Sequence, residues 1–217
     1  LGYGVYQVTK EECERCVLDA LDVGYRAIDT AQSYFNEAEV GEAIAESGID
    51  RKEIFLTTKV WIEHYSYEQA KESVLQSMEK LKTDYIDLVL LHQPFADYYG
   101  AYRALEDLYE EGKLRAIGVS NFYPDRLVDI ASFARIKPMV NQIETHPLNQ
   151  QIEAHEWLEK YGVIHEAWAP FGEGRGNMFS NHVLQEIGKK YDKTVAQVIL
   201  RWQLQRGIVV IPKSTHK

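Results

Sequence analysis

The chain has 217 residues, which is long enough for one domain with a large core. Its formal net charge of −9 argues against the basic surface that nucleic-acid binding needs, so we expect no nucleic-acid partner. No stretch approaches the roughly 20 apolar residues of a membrane span, and no signal peptide is recognisable. These features predict a cytoplasmic protein without a membrane partner.

Short apolar runs alternate with amphipathic stretches along the whole chain. The predicted strands are Gly2–Tyr6, Arg26–Thr30, Ile54–Val60, Tyr85–His92, Ala116–Ser120, Met139–Ile143, Val163–Trp168 and Ile208–Pro212. The predicted helices are Glu11–Val23, Glu37–Ser47, Tyr67–Leu81, Ala101–Glu111, Asp125–Phe133, Ile152–Tyr161 and a long one over His182–Arg206. This alternation indicates βαβ units, and eight parallel strands close a TIM barrel. We therefore predict a single (β/α)8 barrel domain over residues 1–217; an open doubly wound sheet would want a G-x-G-x-x-G turn after its first strand, which is missing.

Cys13 and Cys16 form a C-x-x-C pair inside the predicted helix Glu11–Val23. A zinc site would need two further Cys or His ligands, and none is suitably spaced. We interpret the pair as one buried thiol, Cys16 among apolar residues, and one exposed thiol, Cys13 among charged ones. We predict no metal site.

Polar or aromatic side chains occur where the predicted strands end. These residues are Val5 with Tyr6, Asp29, Lys59, His92, Ser120 with Asn121, Gln142, Trp168 and Lys213. In a TIM barrel the chemistry lies at the carboxyl ends of the strands. One shared ligand site is the simplest interpretation of this regular placement.

Three of these residues, Asp29, Lys59 and His92, together with Tyr34 just past the second strand, suit carbonyl reduction. That reaction needs a hydride, which a nicotinamide or flavin must supply, and a proton for the oxygen. Tyr34 could give the proton if an adjacent cation, Lys59, lowers its pKa. Asp29 could hold Lys59 charged, and His92 could orient the substrate oxygen. Alone, each has a plainer explanation: a structural ion pair, a rim aromatic or a core histidine.

Several motifs resemble the aldo-keto reductase signature, in the order that the family has them. They are Gly24-Tyr25-Arg26-Ala27-Ile28-Asp29-Thr30-Ala31, Tyr34 with Asn36-Glu37 and Val40-Gly41, Thr57-Thr58-Lys59-Val60-Trp61, Leu90-Leu91-His92-Gln93-Pro94, Gly118-Val119-Ser120-Asn121-Phe122, Asn141-Gln142-Ile143-Glu144 and Ile211-Pro212-Lys213-Ser214. Within the family, the chain is most similar to small bacterial reductases of the 2,5-diketo-D-gluconic acid reductase type.

The resemblance implies a catalytic tetrad of Asp29, Tyr34, Lys59 and His92, with Tyr34 as proton donor. It implies NADPH as cofactor, contacted by Val5, Asp29, Ser120, Asn121, Gln142, Trp168, Ala169, Phe171, Lys213 and Ser214. In this assignment the carboxamide of the nicotinamide meets Ser120, Asn121 and Gln142, and its ring stacks on Trp168. Lys213 and Ser214 meet the 2′-phosphate. The substrate pocket would be walled by Tyr6, Trp61, His92 and Phe95.

The family's further segments lie outside this sequence. Its N-terminal hairpin would precede Leu1, and its last helix and C-terminal loop would follow Lys217, so we expect an incomplete copy of a longer protein. The resemblance implies NADPH-dependent reduction of aldehydes and ketones, including α-keto and sugar-derived carbonyls, by a monomer. The alternative is a non-catalytic NADPH-binding regulatory or structural module, which this family also contains. A metal-dependent hydrolase would need more His or carboxylate ligands.

Overall fold

A computed structural model describes residues 1–217, in which eight parallel strands pair in chain order. The strands are β1 Tyr3–Gly4, β2 Ala27–Asp29, β3 Phe55–Val60, β4 Leu88–Leu91, β5 Ile117–Ser120, β6 Val140–Glu144, β7 Ile164–Trp168 and β8 Val209–Val210. Each predicted strand overlaps one of them, and only β6 extends beyond its predicted end, by the one residue Glu144. Helices follow β1 to β7 on the outside, which confirms the (β/α)8 barrel.

The ring closes through backbone hydrogen bonds between its first and last strands. The Gly2 N–H donates to the Val210 carbonyl at 2.8 Å, and the Gly4 N–H donates to the Pro212 carbonyl at 3.0 Å. A closed parallel barrel gathers the carboxyl ends of all its strands around one mouth. Side chains that follow different strands, far apart in sequence, therefore face a common space.

The helices match the predicted amphipathic stretches except at one place. They are α1 Lys10–Asp22, α2 Glu37–Glu46, α3 Tyr67–Lys80, α4 Tyr98–Glu110, α5 Pro124–Phe133, α6 Ile152–Tyr161, α7 His182–Tyr191 and α8 Val195–Gln205. The single helix predicted over His182–Arg206 is wrong. Asp192 adopts a left-handed conformation with φ of 51°, and Thr194 and Gln197 form a capping box that begins α8. None of the eight helices is long and apolar enough to cross a bilayer.

Alternation along the strands separates two kinds of interior. On β4, Val89 and Leu91 pack against the helices, while Leu88 and Leu90 pack with Val140 in a second cluster inside the ring. Further along, the interior becomes polar, with buried side chains of Asp29, Lys59, Gln142 and Glu166. Buried charges are retained only where they are paired or hydrogen-bonded, so this polar layer marks the functional region.

Both cysteines are buried, which corrects the prediction that Cys13 is exposed. Cys13 has no exposed surface and Cys16 is 3% exposed. They lie on the same face of α1 as Val17 and Ala20, at helical spacing, and this face packs on the barrel. The charged sequence neighbours of Cys13 occupy the opposite face.

Gly41 on α2 allows the closest approach between two helices of the outer layer. A methyl group on Gly41 would lie 2.5 Å from the Lys80 carbonyl oxygen and 2.8 Å from the Leu81 carbonyl carbon, both backbone atoms.

We predict that Gly41→Ala lowers the free energy of unfolding by about 1–3 kcal/mol through overpacking. Urea unfolding measures this. The neighbouring Glu42→Ala removes only the surface ion pair with Lys82 and should cost no more than about 1 kcal/mol; equal losses would contradict the steric argument.

Candidate active site

The strand ends open into a cavity of about 760 Å³ at the carboxyl side of the barrel. Its lining includes most of the residues proposed from the sequence: Tyr6, Asp29, Tyr34, Trp61, His92, Ser120, Asn121, Gln142, Trp168, Ala169, Phe171 and Lys213. The volume is that of a ligand-binding cleft. The prediction of one shared site at the strand ends is therefore supported by the geometry.

Lys59 is the centre of the buried polar layer and has no exposed surface. Its ammonium donates to Asp29 Oδ1 at 2.6 Å, to the Thr30 carbonyl at 2.9 Å and to the Tyr34 hydroxyl at 3.3 Å. Three donors thus meet three acceptors. Burial acts to lower the pKa of Lys59, but Asp29 and Tyr34 outweigh it, so the pKa is raised and the ammonium stays charged.

Tyr34 ends a 3-10 turn, Gln32–Tyr34, that follows β2. Burial raises the pKa of its hydroxyl, and Lys59 opposes this rise without reversing it. Lys59 acts to lower this pKa, as expected from the sequence, but desolvation is the larger effect, so the net change is a rise. The hydroxyl is protonated at neutral pH. Lys59 Nζ, 4.8 Å from the ring centre, lies where it would stabilise a phenolate.

His92 follows β4 and stays uncharged. Burial, and secondly the charge of Lys59, lower the pKa of its imidazole to about 3. Nδ1 of His92 lies 3.3 Å from the Ser33 hydroxyl. The ring meets Tyr34 and Trp61 edge to face, with centroids 5.7 Å and 5.1 Å away. With Nδ1 engaged by Ser33, Nε2 is the nitrogen left for a ligand.

A series of hydrogen bonds links residues at the ends of neighbouring strands in the cavity wall. The Trp168 indole N–H donates to Asn121 Oδ1 at 2.8 Å, and Asn121 Nδ2 donates to the His92 carbonyl at 3.1 Å. Ser120 Oγ donates to the Gln142 carbonyl at 2.8 Å. Asn121 itself has a φ of 63°, a conformation that Asn tolerates better than most residues. These contacts fix the orientation of the Trp168 ring in the cavity wall.

The other end of the cavity is a tight loop beside an exposed lysine. Ala169 has a φ of 47°, and its carbonyl accepts from the Gly172 N–H at 2.8 Å. Lys213 is the only Lys or Arg in the lining. A cavity whose lining includes an indole, amide side chains and one cation suits a dinucleotide that carries an additional phosphate.

The profile of the Aldo/keto reductase family matches residues 1–217. The chain belongs to this family. Its membership confirms the resemblance seen in the motifs.

Individual relatives agree with this assignment. Glyoxal reductase of Bacillus subtilis is 48% identical over 215 residues, which cover 98% of this chain and 77% of that protein. A structure assigned as 2,5-diketo-D-gluconic acid reductase B has a TM-score of 0.96 at 37% identity, covering 100% of this chain and 77% of its own. Bombyx mori aldo-keto reductase in complex with NADP has a TM-score of 0.95 at 33% identity, covering 100% and 80%. The chain is an NADPH-dependent carbonyl reductase, and the non-catalytic module gains no support.

Three proposed contacts of this reductase lie outside the main cavity lining. Val5 is fully buried, and its backbone pairs with Asp29. Phe95 is 57% exposed beyond the mouth. Ser214 borders a neighbouring surface cleft, where its carbonyl accepts from the Tyr3 hydroxyl. Their roles stay predictions.

Several residues of the site were not expected from the sequence. They are Ser33, Glu166, which is the second partner of Gln142, and the lining residues Gly4, Gln7, Phe35, Gln93, Phe179 and Ile211. For Glu166 a signal existed. It is a carboxylate in the middle of an apolar strand, two residues before Trp168 and therefore on the same face of the sheet.

The lowered pKa of His92 gives a direct prediction. Because its pKa is about 3, the imidazole carbon-bound proton signals of His92 should not move in NMR spectra between about pH 5 and pH 8. His92→Gln, which keeps a neutral donor, identifies the signals by their loss. A titration midpoint near the ordinary histidine value would contradict the neutral assignment.

Proposed function

We propose that this reductase converts small aldehydes and α-keto compounds to alcohols, with Tyr34 as the general acid. The observation that carries the proposal is the contact of the Tyr34 hydroxyl with the buried Lys59 ammonium, 3.3 Å apart, inside a cavity that holds the tetrad. NADPH, when bound, supplies the hydride. The remaining chemistry falls to the side chains.

Tyr34 supplies the proton that the substrate oxygen gains. Its raised pKa keeps the hydroxyl protonated in neutral water, so the acid form is available in every molecule. Proton loss would leave a phenolate next to Lys59, whose charge offsets the negative charge. Asp29, at 2.6 Å from Lys59, holds the ammonium in place. In this arrangement Tyr34 donates the proton, while Lys59, held by Asp29, stabilises the phenolate that remains.

We assign the orientation of the carbonyl to His92. Ser33 would donate to Nδ1, which leaves the proton on Nε2 and makes it a neutral donor toward the substrate oxygen. A neutral donor orients the oxygen without competing with Tyr34 for proton transfer. Trp61, edge to face with the ring, limits its rotation.

The substrate end of the cavity suits uncharged carbonyls. Tyr6 and Trp61 line it, and no Lys or Arg side chain lies among them to pair with a substrate carboxylate. Tyr6 and Tyr34 are in contact, with ring centroids 5.0 Å apart, so the space near the donor is narrow. Glyoxal reductase, the bacterial relative, is named for such a small dicarbonyl.

The cofactor contacts follow from the same placement. Ser120, Asn121 and Gln142 would hold the nicotinamide carboxamide, with Trp168 against the ring. The loop from Ala169 through Phe171 would meet the pyrophosphate, while Lys213 and Ser214 would meet the 2′-phosphate. We also propose that the protein is a cytoplasmic monomer. Sedimentation at several protein concentrations would test whether it is monomeric.

We predict that Tyr34→Phe lowers turnover with glyoxal or an aromatic aldehyde by about 10²–10⁴-fold, because only the acid is removed. NADPH consumption followed by absorbance measures turnover, and quenching of tryptophan fluorescence measures cofactor binding, which should change little. Tyr191→Phe, on the exposed face of α7, is the matched control. A Tyr34→Phe enzyme that keeps most of its rate would remove the proposed donor.

Lys213→Ala should weaken NADPH binding by roughly tenfold and leave NADH binding nearly unchanged, since only NADPH carries the 2′-phosphate. Fluorescence titration with both cofactors, without substrate, gives the two dissociation constants. Lys137→Ala removes an exposed lysine away from the cavity and serves as control. Equal losses for both cofactors would count against the phosphate contact.

A further inference from the structure

Glu166 is a buried carboxylate that the reaction as described leaves without a role. It lies in the middle of β7, directly opposite Gln142 on β6, and is 6% exposed. Its Oε1 accepts from Gln142 Nε2 at 2.7 Å. The same nitrogen donates to Asp29 Oδ2 at 2.8 Å. One amide group therefore bridges two carboxylates inside the barrel.

The two carboxylates determine how the Gln142 amide is oriented. An ionised carboxylate only accepts hydrogen bonds, so the NH₂ group of Gln142 must face both of them. The amide oxygen is then left for the cavity that Gln142 lines. A nicotinamide carboxamide carries N–H donors, and an accepting oxygen suits it. Without Glu166 the amide would keep one anchor and could turn.

The hydrogen-bonded network continues from Asp29 to Tyr34, the proposed proton donor. From Asp29 the chain of contacts runs through Oδ1 to Lys59 at 2.6 Å and on to the Tyr34 hydroxyl at 3.3 Å. Because this layer is buried, a charge on Glu166 is poorly screened by water. An ionised Glu166 therefore acts electrostatically on the phenolate that Tyr34 must become.

We propose that Glu166 is a positioning residue of this reductase, which anchors the Gln142 amide for the cofactor and, when ionised, opposes proton release by Tyr34. The second half rests on the proposed role of Tyr34 as proton donor; the first half does not.

Glu166 changes its charge in the range where the enzyme would work. Burial, and then the Asp29 charge, raise the pKa of Glu166 to about 7, while the Gln142 hydrogen bond, Lys59 and the amino group of Leu1 act in the opposite direction. Its other strand neighbour, Val209, is apolar. Glu166 also borders a small cavity of about 140 Å³ at the far end of the barrel.

The other shifted groups of the layer titrate elsewhere. The pKa of His92 is lowered to about 3, and those of Tyr34 and Lys59 are raised. Below about pH 7 Glu166 is neutral, and the net charge beside Tyr34 is more favourable to a phenolate. As the pH rises through 7, Glu166 ionises and proton release becomes harder. The rate of reduction should fall across this step.

The test compares Glu166→Gln with Glu166→Leu. Glu166→Gln keeps an accepting oxygen for Gln142 but carries no charge at any pH. We expect the wild type to lose about three- to tenfold in kcat/KM between about pH 6 and pH 8, and Glu166→Gln to lack this step. Glu166→Leu removes the acceptor and should weaken NADPH binding by about tenfold, measured by fluorescence without substrate. Glu166→Gln should bind NADPH like the wild type.

Glu106→Gln is the matched control, because Glu106 is a buried glutamate on α4 that pairs with Arg135 outside the barrel. It should keep the wild-type pH profile. A pH step that persists in Glu166→Gln overturns the charge effect, and unchanged NADPH affinity in a folded Glu166→Leu overturns the anchoring. If Tyr34→Phe keeps its rate, only the proposed proton donor is ruled out. The measurement of NADPH binding still tests whether Glu166 anchors Gln142. Should Glu166→Leu not fold, the smaller Glu166→Ala tests the anchoring by the same NADPH binding measurement, and the Glu166→Gln profile decides the charge effect.

Discussion

The buried ammonium of Lys59 is the interaction on which the site depends. A charge without water is costly, and removing one partner of such a pair costs about 3–5 kcal/mol. Here the acceptors all come from β2 and the turn after it, so the pairing of β2 with β3 must be in register for Lys59 to be satisfied. The fold and the position of the Tyr34 hydroxyl are thereby tied together, because a slip of either strand would leave the charge of Lys59 unpaired.

Around this charge the barrel arranges groups with different tendencies to ionise. His92 is held neutral by burial, Tyr34 is held protonated by burial, and Lys59 is held charged by Asp29. Glu166 completes the layer from the opposite side of the ring. Burial disfavours the charged form of each group, so it keeps His92 deprotonated and Tyr34 protonated, and only Lys59, which has Asp29 and Tyr34 as partners, keeps its charge.

The barrel was predictable from the sequence because each strand is a distinct apolar run and polar residues, such as Asp29 and His92, occur where these runs end. It failed where local composition misleads. Cys13 has charged sequence neighbours but a buried helix face, and Asp192 breaks a pattern that is apolar-periodic on both sides. The direction of the Tyr34 pKa depends on the amount of burial, which no spacing of residues reveals. Glu166 was overlooked because its partners come from β2 and β6, which only the closed ring brings together.

The closure of the ring has a mechanical consequence. Between the first and last strands the sheet is held by the Gly2–Val210 and Gly4–Pro212 backbone bonds, whereas the β3–β4 and β6–β7 pairings span four and five residue pairs. Gly4 and Lys213 stand on the two sides of this seam, and both line the cavity. A dinucleotide lying along the cavity would contact residues on both sides of this seam. Cofactor binding would then add a link between the first and last strands, so that the bound cofactor would help to hold the barrel closed.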